Sequence, residues 1–110
     1  MPNQIVIEGC NGERGNFTLD KWPPLEDLQK FVGGKILELP INYTVGITPE
    51  LPAQRSAIYV NEEGLLLKLP VNESPLAEDI NKHLPYEPSL VGNIVLITGD
   101  PEFMSQKPGY

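Results

Sequence analysis

The spacing of apolar and polar residues changes several times along the chain, and each change predicts a different element. Gln4-Ile5-Val6-Ile7-Glu8 is β-branched at its centre and runs into Gly9-Cys10-Asn11-Gly12, which predicts a strand ending in a tight turn. Phe17-Thr18-Leu19 can return beside it, completing an N-terminal hairpin. After Pro23-Pro24, residues Leu25, Leu28, Phe31 and Val32 recur at three- and four-residue spacing, the pattern of an amphipathic helix. Glu26 and Asp27 fall in its first turn and Lys30 near its end, where they suit the helix dipole, and Gly33-Gly34 supplies a left-handed ending.

Lys35-Ile36-Leu37-Glu38-Leu39 alternates as a half-buried strand and stops at Pro40. Residues 41–54 hold Gly46, Pro49 and Pro52 with little periodicity, which predicts a long irregular loop able to cover a ligand. Ser56-Ala57-Ile58-Tyr59-Val60 and Leu65-Leu66-Leu67-Lys68-Leu69, joined by Asn61-Glu62-Glu63-Gly64, predict a second hairpin. Ser74-Pro75 has the form of a helix N-cap followed by a first-turn proline, ahead of Leu76, Ala77, Ile80 and Leu84. Residues 90–97 form the most apolar run and predict a central strand, leaving 101–110 as a C-terminal tail. The expected fold is a single α+β domain over residues 1–100, a mostly antiparallel sheet with two short helices on one face. Exposed sheet edges and the run Leu65-Leu66-Leu67 add the expectation of a homo-oligomer.

Composition narrows the function classes. A chain of 110 residues builds one core but not two. With 15 acidic against 8 scattered basic residues and a net charge of −7, duplex nucleic acid and anionic membrane surfaces are poor partners. One Cys and one His exclude an internal disulfide and a four-ligand zinc site of the Cys/His type, so no metal or cofactor is expected. The absence of a signal-like leader and of a long apolar run predicts a cytoplasmic protein.

Four places carry candidate chemistry. The Asn61-Glu62-Glu63-Gly64 tip offers an amide and two carboxylates to a small ligand, although Asn and Gly also suit a turn on conformational grounds alone. Asn72-Glu73-Ser74-Pro75 opens a helix whose free N–H groups could receive an anion, with Arg55 or Lys68 adding charge, unless Ser74 caps the helix itself. Tyr43 in the irregular loop and Tyr59 on the hairpin are candidates for stacking on a base-like ring. His83 has no partner that the sequence can place, whether Cys10, Ser56 or Ser89, so no catalytic residue is assigned. The candidate ligand-binding set is Tyr43, Arg55, Tyr59, Asn61, Glu62, Lys68, Asn72 and Ser74.

Val32-Gly33-Gly34-Lys35-Ile36, Tyr59-Val60-Asn61-Glu62-Glu63-Gly64, Leu69-Pro70-Val71-Asn72 and Leu90-Val91-Gly92-Asn93-Ile94-Val95-Leu96 follow one another in an order and spacing that resemble a small domain of unknown function from phage and plasmid accessory genes. The resemblance covers residues 25 to about 99. It departs from the pattern at Asn93, where an acid is common, and in the length of the 41–54 loop. It implies a mobile-element protein in a bacterial host and brings no catalytic set. The leading expectation is a non-enzymatic accessory protein that binds, in counter-defence, a small nucleotide-like signal. An acidic inhibitor of a host protein, such as one that grips nucleic acid, is the alternative, and a small hydrolase or transferase is the third.

Overall fold

A computed structural model describes residues 3–10, 13–39, 44–45, 54–64, 66–82 and 90–108, with the backbone alone described at Thr44, Val45 and Gln54. The strands β1 (Gln4–Glu8), β2 (Arg14–Thr18), β3 (Ile36–Glu38), β4 (Thr44–Val45), β5 (Gln54–Asn61) and β6 (Ile94–Thr98) alternate with the helices α1 (Leu25–Val32), α2 (Pro75–Asn81) and α3 (Pro101–Met104). The main sheet runs β2-β1-β6-β5-β3 and every pairing in it is antiparallel, while β4 pairs with the start of β5. β6 lies in the middle of that order, and all five of its residues are buried, as the apolar run predicts.

Side chains alternate across a strand, so one register sends Ile5, Ala57, Tyr59, Val95 and Ile97 to one face and Val6, Ile58, Val60, Ile94 and Leu96 to the other. Both sets are apolar, and both must be covered. Leu28 and Val32 of α1, Trp22, and Phe103 of α3 close the first face. Ala77 and Ile80 of α2, with Leu39 and Leu90, close the second. The helices read from the sequence, α1 and α2, therefore lie on opposite faces instead of sharing one. An apolar side chain of this size contributes about 1.5–3 kcal/mol when fully buried, so neither face could remain open.

The expected tail is also partly structured. Asp100 accepts a hydrogen bond from the Phe103 N–H (2.8 Å) and Pro101 takes the first helical position, so α3 starts on a standard cap. Phe103 is 2% exposed, and its ring stacks on Trp22 with centroids 5.4 Å apart.

The second hairpin does not form. β5 is already paired along one side with β6 (Ser56↔Thr98 to Tyr59↔Val95) and along the other with β3 (Ile36↔Asn61 to Glu38↔Tyr59), so residues 66–69 find no free edge. The chain instead coils after Asn61. Gly64 N–H donates to the Asn61 carbonyl (3.2 Å), Leu67 N–H to Glu63 (2.9 Å) and Leu69 N–H to Gly64 (3.0 Å), with Lys68 at φ 54°. Nor is the 41–54 stretch wholly irregular, since Thr44 and Val45 pair with Arg55 and Gln54.

Candidate functional site

Three buried or half-buried asparagines gather the chain at one end of the sheet. Asn61 donates to the Val32 carbonyl (3.1 Å) and accepts from Glu63 N–H (2.8 Å). Asn93 donates to the Phe31 carbonyl (2.9 Å) and accepts from Cys10 N–H (3.4 Å). Helix α1 ends on these two side chains and on Gly33 at φ 81°, whose N–H, with that of Gly34, returns to Gln29. Asparagine amides thus satisfy carbonyls that a helix C-terminus leaves without intrahelical donors.

Asn72 is the most committed of the three. Its amide donates to the carbonyls of Glu8 (3.0 Å) and Gly92 (2.8 Å), and its side-chain oxygen accepts from Ser74 N–H (3.0 Å). Its own N–H donates to Leu90 (2.8 Å), Gly92 N–H donates to Pro70 (2.8 Å), and Val71 bridges to Val91. The segment before α2 is therefore sewn to the segment before β6. Gly92 sits at φ 73° with Leu69 Cδ1 2.9 Å from where a Cβ would stand, and Gly64 has no room for a Cβ beside Val91. The four sequence motifs of the first subsection thus meet one another, and the side chains of their three asparagines are spent on that junction.

The predicted binding residues are accordingly dispersed. Tyr59 is 2% exposed inside the α1 face and presents no ring for stacking. Asn61 and Asn72 are buried and bonded internally, and Ser74 accepts from Ala77 N–H (3.1 Å), so it caps α2 as its position before Pro75 predicts. Glu62, Lys68 and Arg55 are exposed. Arg55 lies at the opposite end of β5 from Asn61, about 20 Å away at strand rise, so it cannot join Lys68 around one small ligand. Tyr43 and His83 lie outside the described residues. Among the described residues no three His, Cys, Asp or Glu side chains gather as metal ligands.

What the candidate list missed is apolar. Of the five large hydrophobic residues exposed among those described, three fall within one short stretch: Leu66 (82%), Leu67 (56%) and Val71 (48%). They stand on the coil after Gly64, which Leu69 pins by packing over Gly64 and Gly92. Glu62 and Glu73 are exposed at its two ends, and Glu63 is half-buried. The available signal was the run Leu65-Leu66-Leu67 itself, with more leucine than a strand lacking a partner edge could bury. The stretch thus forms a lobe that exposes apolar Leu66, Leu67 and Val71 together with the charges of Glu62, Lys68 and Glu73.

Among the described residues no helix is long and apolar enough to cross a membrane. No curated protein and no solved structure matches the chain. A family model, Domain of unknown function (DUF3846), matches residues 11–108, a wider span than the resemblance at 25–99, and the chain belongs to that family.

Proposed function

We propose that the protein acts by binding and that its contact surface is the lobe formed by residues 61–64 and 66–72. The partner is a protein that offers an apolar hollow with a basic rim. The observation that carries this reading is the joint exposure of Leu66, Leu67 and Val71 on a segment held in place by the hydrogen bonds of Gly64, Leu67 and Leu69. Apolar side chains concentrated on an exposed surface feature and flanked by polar residues are a mark of an interaction site. Glu62, Glu63 and Glu73 against the single Lys68, on a chain of net charge −7, set the sign of the partner.

This favours the inhibitor reading over capture of a nucleotide-like signal. Among the described residues, those proposed to hold a nucleotide are either internal, as Tyr59, Asn61, Asn72 and Ser74 are, or spread along β5 and the lobe. A host protein that normally grips nucleic acid would present the complementary basic surface, which suits a mobile-element accessory role. Small-molecule turnover has no residue assigned to it.

The test uses the intact chain and a double variant, Leu66→Ser/Leu67→Ser, presented side by side to host extract. A protein retained in fixed ratio by the parent chain is purified and its affinity measured against both. A loss of at least tenfold in the variant, together with weakening as salt rises, supports the proposal. Equal binding to both chains, or recovery of an intact nucleotide and no protein, overturns it.

A further inference from the structure

The outer edge of β2 ends the sheet order, away from the lobe. Gly9 N–H donates to the Glu13 carbonyl (2.6 Å) and Leu19 N–H to the Asn3 carbonyl (2.8 Å), flanking a register in which Ile5 faces Phe17 and Ile7 faces Gly15. In an antiparallel ladder, hydrogen-bonded pairs alternate with non-bonded ones. Glu13, Gly15, Phe17 and Leu19 therefore turn their backbone groups toward β1. Arg14, Asn16 and Thr18 turn theirs outward, where no further strand follows among the described residues.

Edges of this kind are usually blunted by charged side chains, Pro or a bulge; β2 has no Pro and no bulge, and its one charge, Arg14, is drawn to Glu8 of β1 at 3.2 Å. β2 also contains no acid in a chain of net charge −7. The opposite edge differs: β3 has 3 residues, and Lys107 reaches Glu38 there at 2.6 and 2.8 Å.

We propose that β2 pairs antiparallel with β2 of a second copy about a two-fold axis at Asn16. This register sets Asn16 opposite Asn16 of the partner subunit and Arg14 opposite the partner's Thr18, so all three outward-facing residues bond. It sets Phe17 opposite the partner's Gly15 at a non-bonded position, where Cα atoms approach to about 4.5 Å and side chains come closest. Phe17 is 56% exposed and its ring leans over its own Gly15, where a Cβ would lie 2.9 Å from Cε2. The glycine of the second copy leaves the same space on the other side. Arg14 meets a threonine, so like charges do not oppose one another. Shifting the register to place Phe17 against Phe17 would set Arg14 opposite Asp20, beyond the end of β2, and lose outward bonds. Five residues a side bury less than the ~1,200 Å² of a stable interface, so the pairing is weak and concentration-dependent.

Sedimentation equilibrium over a wide concentration range tests this. The parent chain is expected to approach twice the single-chain mass, and Asn16→Pro to stay at one. The Asn16 N–H points away from β1, so proline there removes an outward donor without breaking the ladder. A crosslinking pair gives a second readout in a Cys10→Ser background. Asn16→Cys should form an intersubunit disulfide at least tenfold faster than Thr18→Cys, and this comparison decides alone if the proline variant does not fold. A parent chain that is monomeric throughout, a dimer unaffected by Asn16→Pro, or equal crosslinking at the two positions overturns the proposal.

Discussion

Between Asn61 and Asn72 the usual arrangement of a globular surface is inverted. The asparagines at the two ends are 6% and 3% exposed, while Leu66 between them is 82% exposed. Position in the chain does not separate them, but bonding does. Each asparagine sits where backbone groups from several elements lack partners, and its amide can donate and accept at once. The leucines sit where the sheet has run out of edge. Polar burial at the junction and apolar exposure on the lobe are thus linked: the asparagine bonds anchor the segment at Asn61 and at Asn72, and the backbone bonds of Gly64, Leu67 and Leu69 shape the coil between them that carries the leucines.

The sharpest way to break the comparison is to remove polarity from the buried side. Asn72→Leu keeps the side-chain size but strands the Glu8 and Gly92 carbonyls and the Ser74 N–H. Leaving buried groups unpaired costs more than a made hydrogen bond is worth, so a loss of about 3 kcal/mol is expected. Urea unfolding would read it as a lower midpoint at unchanged slope. A loss below about 1 kcal/mol would mean the junction is not what holds this end of the sheet together.

Gly92→Ala attacks the same junction through the backbone. The left-handed φ of 73° and the Leu69 methyl 2.9 Å from the new Cβ act together, and about 2 kcal/mol is expected in the same unfolding measurement. Because Leu69 must shift to admit the methyl, amide exchange should also rise at Leu67 and Leu69, whose N–H groups close the coil.

What was legible in the sequence follows the range of the forces involved. α1 was readable because its start, periodicity and glycine ending all lie within ten residues, and β6 because its apolar run marks a central strand. Capping of α2 by Ser74 was likewise local. The second hairpin was misread because strand pairing is a competition across the whole chain, and β6 and β3 take both sides of β5. Tyr59 was misplaced for a related reason: Ala57 through Val60 are apolar on both parities, so no alternation announced which face was buried or that both were. α3 carried a local signal, Asp100-Pro101, that its position near the C-terminus obscured. The asparagine junction was least legible, because Asn93 and Phe31 stand 62 positions apart and nothing in either local segment points to the other.

The smallest expected effect sharpens the comparison most. Leu66→Ser/Leu67→Ser replaces two large apolar residues, a change that in either core cluster would cost several kcal/mol through lost burial and a cavity. On the lobe both side chains already face water, so folding stability should move by no more than about 0.5 kcal/mol, and the urea midpoint should barely shift. A partner that uses the lobe would register the same change as a tenfold or greater loss of affinity. The two measurements on one variant separate a surface kept for contact from one kept for packing: a large fall in stability would place the leucines in the fold after all.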